Sequence, residues 1–95
     1  MNFKPLDPLL HSQLRLAIMS ILVSVEQADF VYLRNQTNAT AGNLSVQIDK
    51  LSKAKYIKVS KSFKDNRPNT TCKITKIGLS AFEDYVNNLK SYFSQ

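Results

Sequence analysis

From Leu9 to Val25, apolar residues recur at helical spacing. Leu10, Leu14, Ala17, Ile18, Ile21 and Val25 form one stripe, and Leu9, Leu16 and Leu22 widen it. Asp7 suits an N-cap and Pro8 a first helical turn, so the pattern predicts a helix over 8–25. A face this broad predicts burial on two sides, one against its own domain and one against a second subunit. "EQADFVYLRNQ" reads as a short second helix with Ala28, Phe30 and Leu33 inward. "TNAT" breaks the pattern. Thr40 then caps a third helix, "AGNLSVQIDKLSKA", whose buried stripe is Leu44, Ile48 and Leu51. Here the period drops to two. "YIKVSKSF" sets Ile57, Val59 and Phe63 on one face and Tyr56, Lys58, Ser60 and Ser62 on the other. "TTCKIT" sets Cys72 and Ile74 opposite Thr71 and Lys73. The intervening "KDNRPN" has turn chemistry, which predicts a β-hairpin over 56–75 with an extended loop. Helical spacing returns after Thr75, a cap for a last helix over 76–93. Leu79, Phe82, Val86, Leu89 and Phe93 form a heptad seam there, with Tyr85 and Tyr92 beside it.

These elements make one domain over residues 1–95, mainly α with a small β-hairpin (α+β), in the order α-α-α-β-β-α. Residues 26–54 carry the second and third helices around a tight turn, a helix-turn-helix unit. A chain this short buries a modest core, so a partner subunit on the seam would add stability. No apolar run approaches the ~20 residues of a membrane span. Asp7 and two prolines precede the first apolar stretch, which does not suit a signal peptide, so the expected location is cytoplasmic. The four Asn-x-Ser/Thr sequons, at Asn35, Asn38, Asn43 and Asn69, then read as chance matches in an Asn- and Thr-rich chain.

Catalytic chemistry has little to work with. His11 and Cys72 are the only residues of their kinds, one on a predicted helix and one on a strand. They do not form a nucleophile–base pair or a metal set, and a lone cysteine forms no intrachain disulfide. Two glycines are too few for a phosphate loop. No enzyme activity, cofactor or metal is expected. Cys72 shares a face with Ile74 and reads as core.

Charge changes the picture. Residues 50–76 hold nine Lys or Arg and one acid, Asp65, a net +8. The flanking segments, 1–49 and 77–95, are each −1. A cationic stretch between two near-neutral ones points to a localised polyanion site.

At this point the chain resembles the MarR-like winged helix-turn-helix transcriptional regulators, in their small single-domain branch. The resemblance lies in "NATAGNLSVQIDKLSKAKYI" (38–57), a recognition helix running into an apolar strand. It continues in "KDNRPNTTCKIT" (64–75), similar to an Asp-x-Arg wing, and in "TKIGLSAF" (75–82), similar to a Leu-Thr-x-x-Gly signature with Ile74 in place of Leu. It covers nearly the whole chain. Lys55 stands where such proteins commonly carry glycine, which predicts a less sharply bent turn into the first wing strand. The resemblance implies a homodimer that controls transcription, often by repression.

Residue chemistry points the same way. Facing out from the third helix are Gly42, Asn43, Val46, Lys50 and Lys53, with Thr40 and Ser45 near its N-terminus. Gly42 permits close approach to a phosphate backbone. Asn43 can pair with an adenine edge, and Val46 can meet a thymine methyl. Thr40, Ser45 and the helix N-terminal amides suit phosphates, as do Lys50 and Lys53. On the wing, Lys61, Lys64, Asn66, Arg67 and Asn69 are the candidate contacts, with Arg67 suited to a minor groove. Asp65 is expected to pair with a neighbouring base, and Pro68 to stiffen the tip. Leu9, Leu16, Leu79, Phe82, Val86, Leu89 and Phe93 are the expected dimer contacts. The expected partners are double-stranded DNA and a second copy of the chain. A small-molecule effector between the dimer helices and the DNA-binding body is a further possible partner, but no residue cluster names it. Two other functions fit the same fold: a protein–protein adaptor, and sequence-neutral architectural DNA binding.

Overall fold

The computed structural model describes residues 3–94. Its elements are α1 (Gln13–Val25), β1 (Gln27–Asp29), α2 (Phe30–Thr37), α3 (Ala41–Lys53), β2 (Ile57–Lys64), β3 (Arg67–Ile74) and α4 (Lys76–Lys90). The strands form one antiparallel sheet in the order β1-β3-β2. This is the expected winged helix with one strand more than the sequence pattern suggested.

That strand corrects the first part of the expected second helix. Gln27, Ala28 and Asp29 pair with Lys73, Cys72 and Thr71. α1 ends at Glu26, whose φ of 69° reverses the chain, and the Glu26 carbonyl accepts the Ile74 amide at 3.2 Å. α2 begins only after Asp29, whose carboxylate accepts the Tyr32 amide at 2.8 Å. It ends at Asn38, which takes the left-handed conformation that Asn tolerates.

α1 starts five residues later than expected, because two caps compete. Asp7 closes a separate turn, with its side chain on the Leu9 amide and its carbonyl on the Leu10 and His11 amides. Ser12 is extended and provides the true N-cap, accepting from the Arg15 amide at 3.5 Å. His11 therefore lies in the connecting turn, where its Nδ1 is 3.0 Å from the Tyr85 hydroxyl. The N-terminal segment then runs back along the end of α4. Tyr92 Oη donates to the Lys4 carbonyl at 3.0 Å, Asn88 Nδ2 to the Pro5 carbonyl at 3.2 Å, and the Phe3 and Tyr92 rings pack 5.0 Å apart.

The core lies between the helices and one face of the sheet. The expected α3 stripe is buried, with Leu44 and Leu51 fully enclosed, as are Ile18, Met19 and Leu22 of α1 and Leu33 of α2. Each such side chain stabilises the fold by ~1.5–3 kcal/mol. Cys72 is also enclosed, and burial pushes its thiol pKa up to about 11. In α4 the face turned to the core carries Gly78 and Tyr85, with Phe82 and Leu89 half-buried. The heptad seam is therefore split: Leu79 and Val86 stay exposed on the helix flank, and Phe93 lies just past its end.

The junction of α3, β2 and α4 departs from expectation. Lys55 takes φ 64°, so the turn is as sharp as a glycine would make it. The Lys55 amide reaches the Ser52 carbonyl and the Tyr56 amide the Leu51 carbonyl, the two bonds of a Schellman motif. α4 sits directly on this turn. Thr75 Oγ1 donates to the Lys55 carbonyl at 2.6 Å and accepts the Gly78 amide at 3.0 Å. A Cβ on Gly78 would lie 2.0 Å from the Tyr56 carbonyl oxygen. Tyr56 is half-buried. Its hydroxyl donates to Asp7, and that bond, with burial, pushes its pKa up to about 12.

Candidate nucleic-acid interface

Thr40 caps α3, its Oγ1 accepting the Asn43 amide at 3.2 Å. The next turns present Gly42, Asn43, Ser45, Val46 and Lys50 to solvent, with Val46 51% exposed although apolar. Nothing lies within 4 Å of a Cβ built on Gly42. The surface there is open, and a molecule could approach the backbone closely. Lys53 is exposed but pairs with Asp49 at 2.9 Å, both side chains well solvated. Such an i,i+4 pair is worth only ~0.3–0.5 kcal/mol, so Lys53 can exchange Asp49 for a phosphate at little cost. Among the described residues this is the sole ion pair between side chains.

The hairpin loop is two residues long, not extended. Lys64 pairs with Arg67, and Asp65 and Asn66 take φ 53° and 61°, as a type I′ turn requires. Asp65 forms no ion pair among the described residues. Its contribution is to tolerate positive φ rather than to hold a base. Pro68 sits inside β3 opposite Phe63, beyond the end of β1 and so on a stretch paired on one side only. Counting from the turn, Phe63–Pro68 is a non-hydrogen-bonded pair, where a missing N–H breaks no bond to β2.

Alternation divides the wing into two faces. One continues the core face outward: Val59, then Lys61 opposite Thr70, then Phe63 opposite Pro68. Phe63 shares the face of Ile57 and Val59, as the alternation sets it, yet is 78% exposed, because the ribbon has left the body of the domain there. This face and α3 enclose a groove lined by Ser45, Asp49 and Ser52 on one side and Lys61 and Thr70 on the other. The second face carries Lys64 and Arg67 at the tip and Lys58 opposite Lys73 nearer the body. Asn66 is in the turn, and Asn69 is half-buried, its Nδ2 3.4 Å from Thr71 Oγ1. The expected wing residues are thus split between two faces, whereas the α3 residues share one helix surface.

What holds Asn43 could not be read from the sequence. Arg15, at the start of α1, donates from Nε to the Leu9 carbonyl at 2.6 Å and from Nη1 to Gln47 Oε1 at 2.5 Å. Gln47 Nε2 donates in turn to Asn43 Oδ1 at 2.9 Å. The link between Arg15 and Gln47 spans 32 positions, so only the folded chain shows it.

The molecule is elongated, with extents of 56 × 25 × 21 Å. Its radius of gyration is 14.4 Å; a compact chain of this length would have ~12 Å. A projecting ribbon beside an exposed helix can reach two places along a polyanion at once. No helix among the described residues is long and apolar enough to cross a membrane.

Comparison with known proteins agrees with this geometry. Residues 14–93 match the family described as a winged helix DNA-binding domain. An uncharacterised protein of Methanocaldococcus jannaschii is 34% identical over 76 residues, covering 80% of this chain and 83% of that protein. The structure of a transcriptional regulator homologue from Pyrococcus horikoshii superposes with a TM-score of 0.83 at 29% identity, over 90% of this chain and 84% of that one. A MarR-family transcriptional regulator from Silicibacter pomeroyi shares the fold, with a TM-score of 0.68 at 17% identity over 87% of this chain and 55% of that one. With the matched domain covering most of its length, the chain belongs to the winged helix DNA-binding domain family.

Proposed function

We propose that the protein is a sequence-specific regulator of transcription that binds double-stranded DNA as a homodimer and represses by occupying promoter sites. The observation that carries this reading is the placement of charge. The +8 segment forms the end of α3, the wing and the start of α4, beside an α3 surface that exposes Gly42, Asn43 and Val46. In this reading α3 enters the major groove. Thr40, Ser45, Lys50 and Lys53 meet phosphates, and Asn43 and Val46 meet base edges. The wing lies on the backbone or in the adjacent minor groove through Lys61, Lys64, Asn66, Arg67 and Asn69. Phe63, exposed between Lys61 and Lys64, adds an apolar contact of the kind that wedges against a base step.

The dimer rests on the exposed flank of α4. Leu79, Val86 and Phe93 are 40%, 37% and 79% exposed, and Leu9 of the N-terminal turn and Leu16 of α1 lie alongside Phe82 and Leu89, all half-buried. A two-fold pair would present two α3 helices to a near-palindromic site. Any small-molecule effector would act through the groove between these helices and the DNA-binding body.

Binding to a duplex, titrated with salt, tests the reading. Wild type is expected to lose affinity steeply as salt rises. A Lys50→Ala/Arg67→Ala double variant should bind more weakly with a shallower salt slope, by about one to two counterions. A folded wild-type protein that binds no duplex at low salt would overturn the reading in favour of a protein-binding adaptor. Equal affinity for random and selected duplexes at one salt concentration would favour architectural binding.

A further inference from the structure

Arg15 has only donors to offer, five N–H groups and no acceptor. Facing Gln47, it therefore fixes that amide in one orientation, with Oε1 toward the guanidinium at 2.5 Å and Nε2 away from it. Nε2 then faces Asn43, one turn earlier on α3, and donates to its Oδ1 at 2.9 Å. The reverse orientation of either amide would set donor against donor. The guanidinium is itself held by the Leu9 carbonyl at 2.6 Å, so the relay starts from a backbone atom outside the DNA-facing elements. At its far end Oδ1 of Asn43 is engaged. Nδ2 has no partner among the described residues, and the side chain is exposed.

We propose that Arg15 and Gln47 determine which base Asn43 selects, by holding its amide so that it presents a donor, Nδ2, to an acceptor in the major groove. This rests on the reading of α3 as the major-groove helix. Acceptor edges are N7 and O6 of guanine, N7 of adenine and O4 of thymine, whereas cytosine offers the N4 donor. The bidentate adenine contact expected from the sequence needs Oδ1 and Nδ2 turned outward together. The relay turns Oδ1 along the helix instead. Cytosine is therefore disfavoured at this position, and adenine loses its special standing. Gln47 and Arg15 act here as positioning residues and need touch no base.

The experiment is selection of binding sites from a random duplex library with the wild-type protein and three variants, with thermal melts to confirm folding. Asn43→Ala identifies the base pair concerned as the one whose preference it flattens. Gln47→Glu keeps the acceptor that Arg15 needs but removes the donor, so the Asn43 amide turns over and presents Oδ1. The preferred base at that one pair should move toward a donor edge, cytosine N4 or adenine N6, by roughly threefold to tenfold, the worth of one hydrogen bond. Arg15→Met frees both amides and should level the preference at the same pair, leaving the rest of the motif unchanged. If wild type yields a motif that Gln47→Glu and Arg15→Met leave unaltered, weakening all sites uniformly, the relay has no part in specificity and the proposal fails alone. A shift at several base pairs together would also overturn it, since α3 itself would have moved. If wild type binds but yields no motif, the major-groove reading fails and the proposal with it.

Discussion

The two glycines should respond to the same substitution with opposite signs. In Gly78→Ala the new Cβ would lie 2.0 Å from the Tyr56 carbonyl oxygen, 2.8 Å from its carbon and 3.0 Å from Cα. All three are backbone atoms in a turn already fixed by the Schellman bonds, so no side chain can swing aside. α4 must lift off by more than an ångström. That movement breaks the bond from the Thr75 amide to the Tyr56 carbonyl, at 3.1 Å, and the one from Thr75 Oγ1 to the Lys55 carbonyl, at 2.6 Å. Two such bonds are worth ~1–3 kcal/mol together. The poorer seating of Tyr85 and Phe82 adds ~1–2 kcal/mol on the scale of a partly lost core contact. The better helix propensity of alanine returns ~1 kcal/mol. The net loss is ~1–4 kcal/mol, or ~5–30 °C in Tm for a domain of this size. Gly42→Ala meets nothing within 4 Å and gains only the propensity, so it should stabilise by ~0.5–1 kcal/mol. Urea unfolding followed by circular dichroism, at one fixed protein concentration, measures both. A Gly78→Ala variant within ~0.5 kcal/mol of wild type would refute the backbone contact and the argument built on it. Gly42→Ala carries a second readout. If α3 packs against a phosphate backbone at Gly42, affinity for DNA falls although stability rises.

Three further outcomes are expected. Lys55→Gly should raise stability by about 0.5–1 kcal/mol in the same unfolding assay, because a left-handed non-glycine residue costs ~1–2 kcal/mol and glycine's extra unfolded-state entropy offsets only part of that. The Tyr56–Asp7 bond makes stability fall in alkali. The Tyr56 pKa rises from 10.0 unfolded to about 12 folded, so its contribution is complete below pH 10 and is lost as pH climbs from 10 to 12. Tyr56→Phe should lose stability at neutral pH and show a flatter decline over that window, and an unchanged decline would refute the assignment. On the wing, backbone order parameters by NMR should drop toward ~0.6 at residues 64–67 while α3 stays near ~0.85, and DNA should raise the wing values. Uniform values in the free protein would refute a mobile tip.

The elements that could be read from the sequence are those whose signals are local. Leu44, Ile48 and Leu51 lie seven positions apart at most, and Thr40 and Thr75 cap helices within three residues of themselves. The alternation from Ile57 to Val59 and at Cys72 needs no distant partner to be visible. β1 could not be read because three residues carry no period, and only the partner β3 makes Gln27–Asp29 a strand. The start of α1 was misplaced for a related reason. Asp7 and Ser12 are both good caps, and a tyrosine 49 residues away takes the second oxygen of Asp7. The exposure of Phe63 has a different cause. Alternation gives its face correctly, but the body of the domain ends before that face does. Of the candidate site, the residue types and the exposed α3 surface were legible. The relay behind Asn43 and the division of the wing into two faces were not.

The distribution of order along the interface follows from where the backbone bonds are made. α3 is held at both ends. Its N-terminus has the Thr40 cap and the Arg15 relay, and its C-terminus has the Schellman turn, with α4 seated on it through Thr75 and Gly78. Arg15 and α4 reach the helix from elements behind the surface that carries Gly42 and Val46, and the Thr40 cap is a bond to a backbone amide, so none must break when DNA arrives. The wing is the opposite case. Beyond the Asp29–Thr71 pair, β3 is bonded on one side only, and the last turns of the ribbon bury no core residue. A two-stranded ribbon of this kind is marginal alone. Base discrimination requires side chains held to a fraction of an ångström, which the clamped helix provides. Phosphate contact by Lys64 and Arg67 requires only reach and charge. A ribbon ordered on binding supplies these with a wider capture range, and an entropy cost lowers its affinity for every sequence alike. Specificity should therefore follow substitutions in and behind α3, and overall affinity should follow those in the wing.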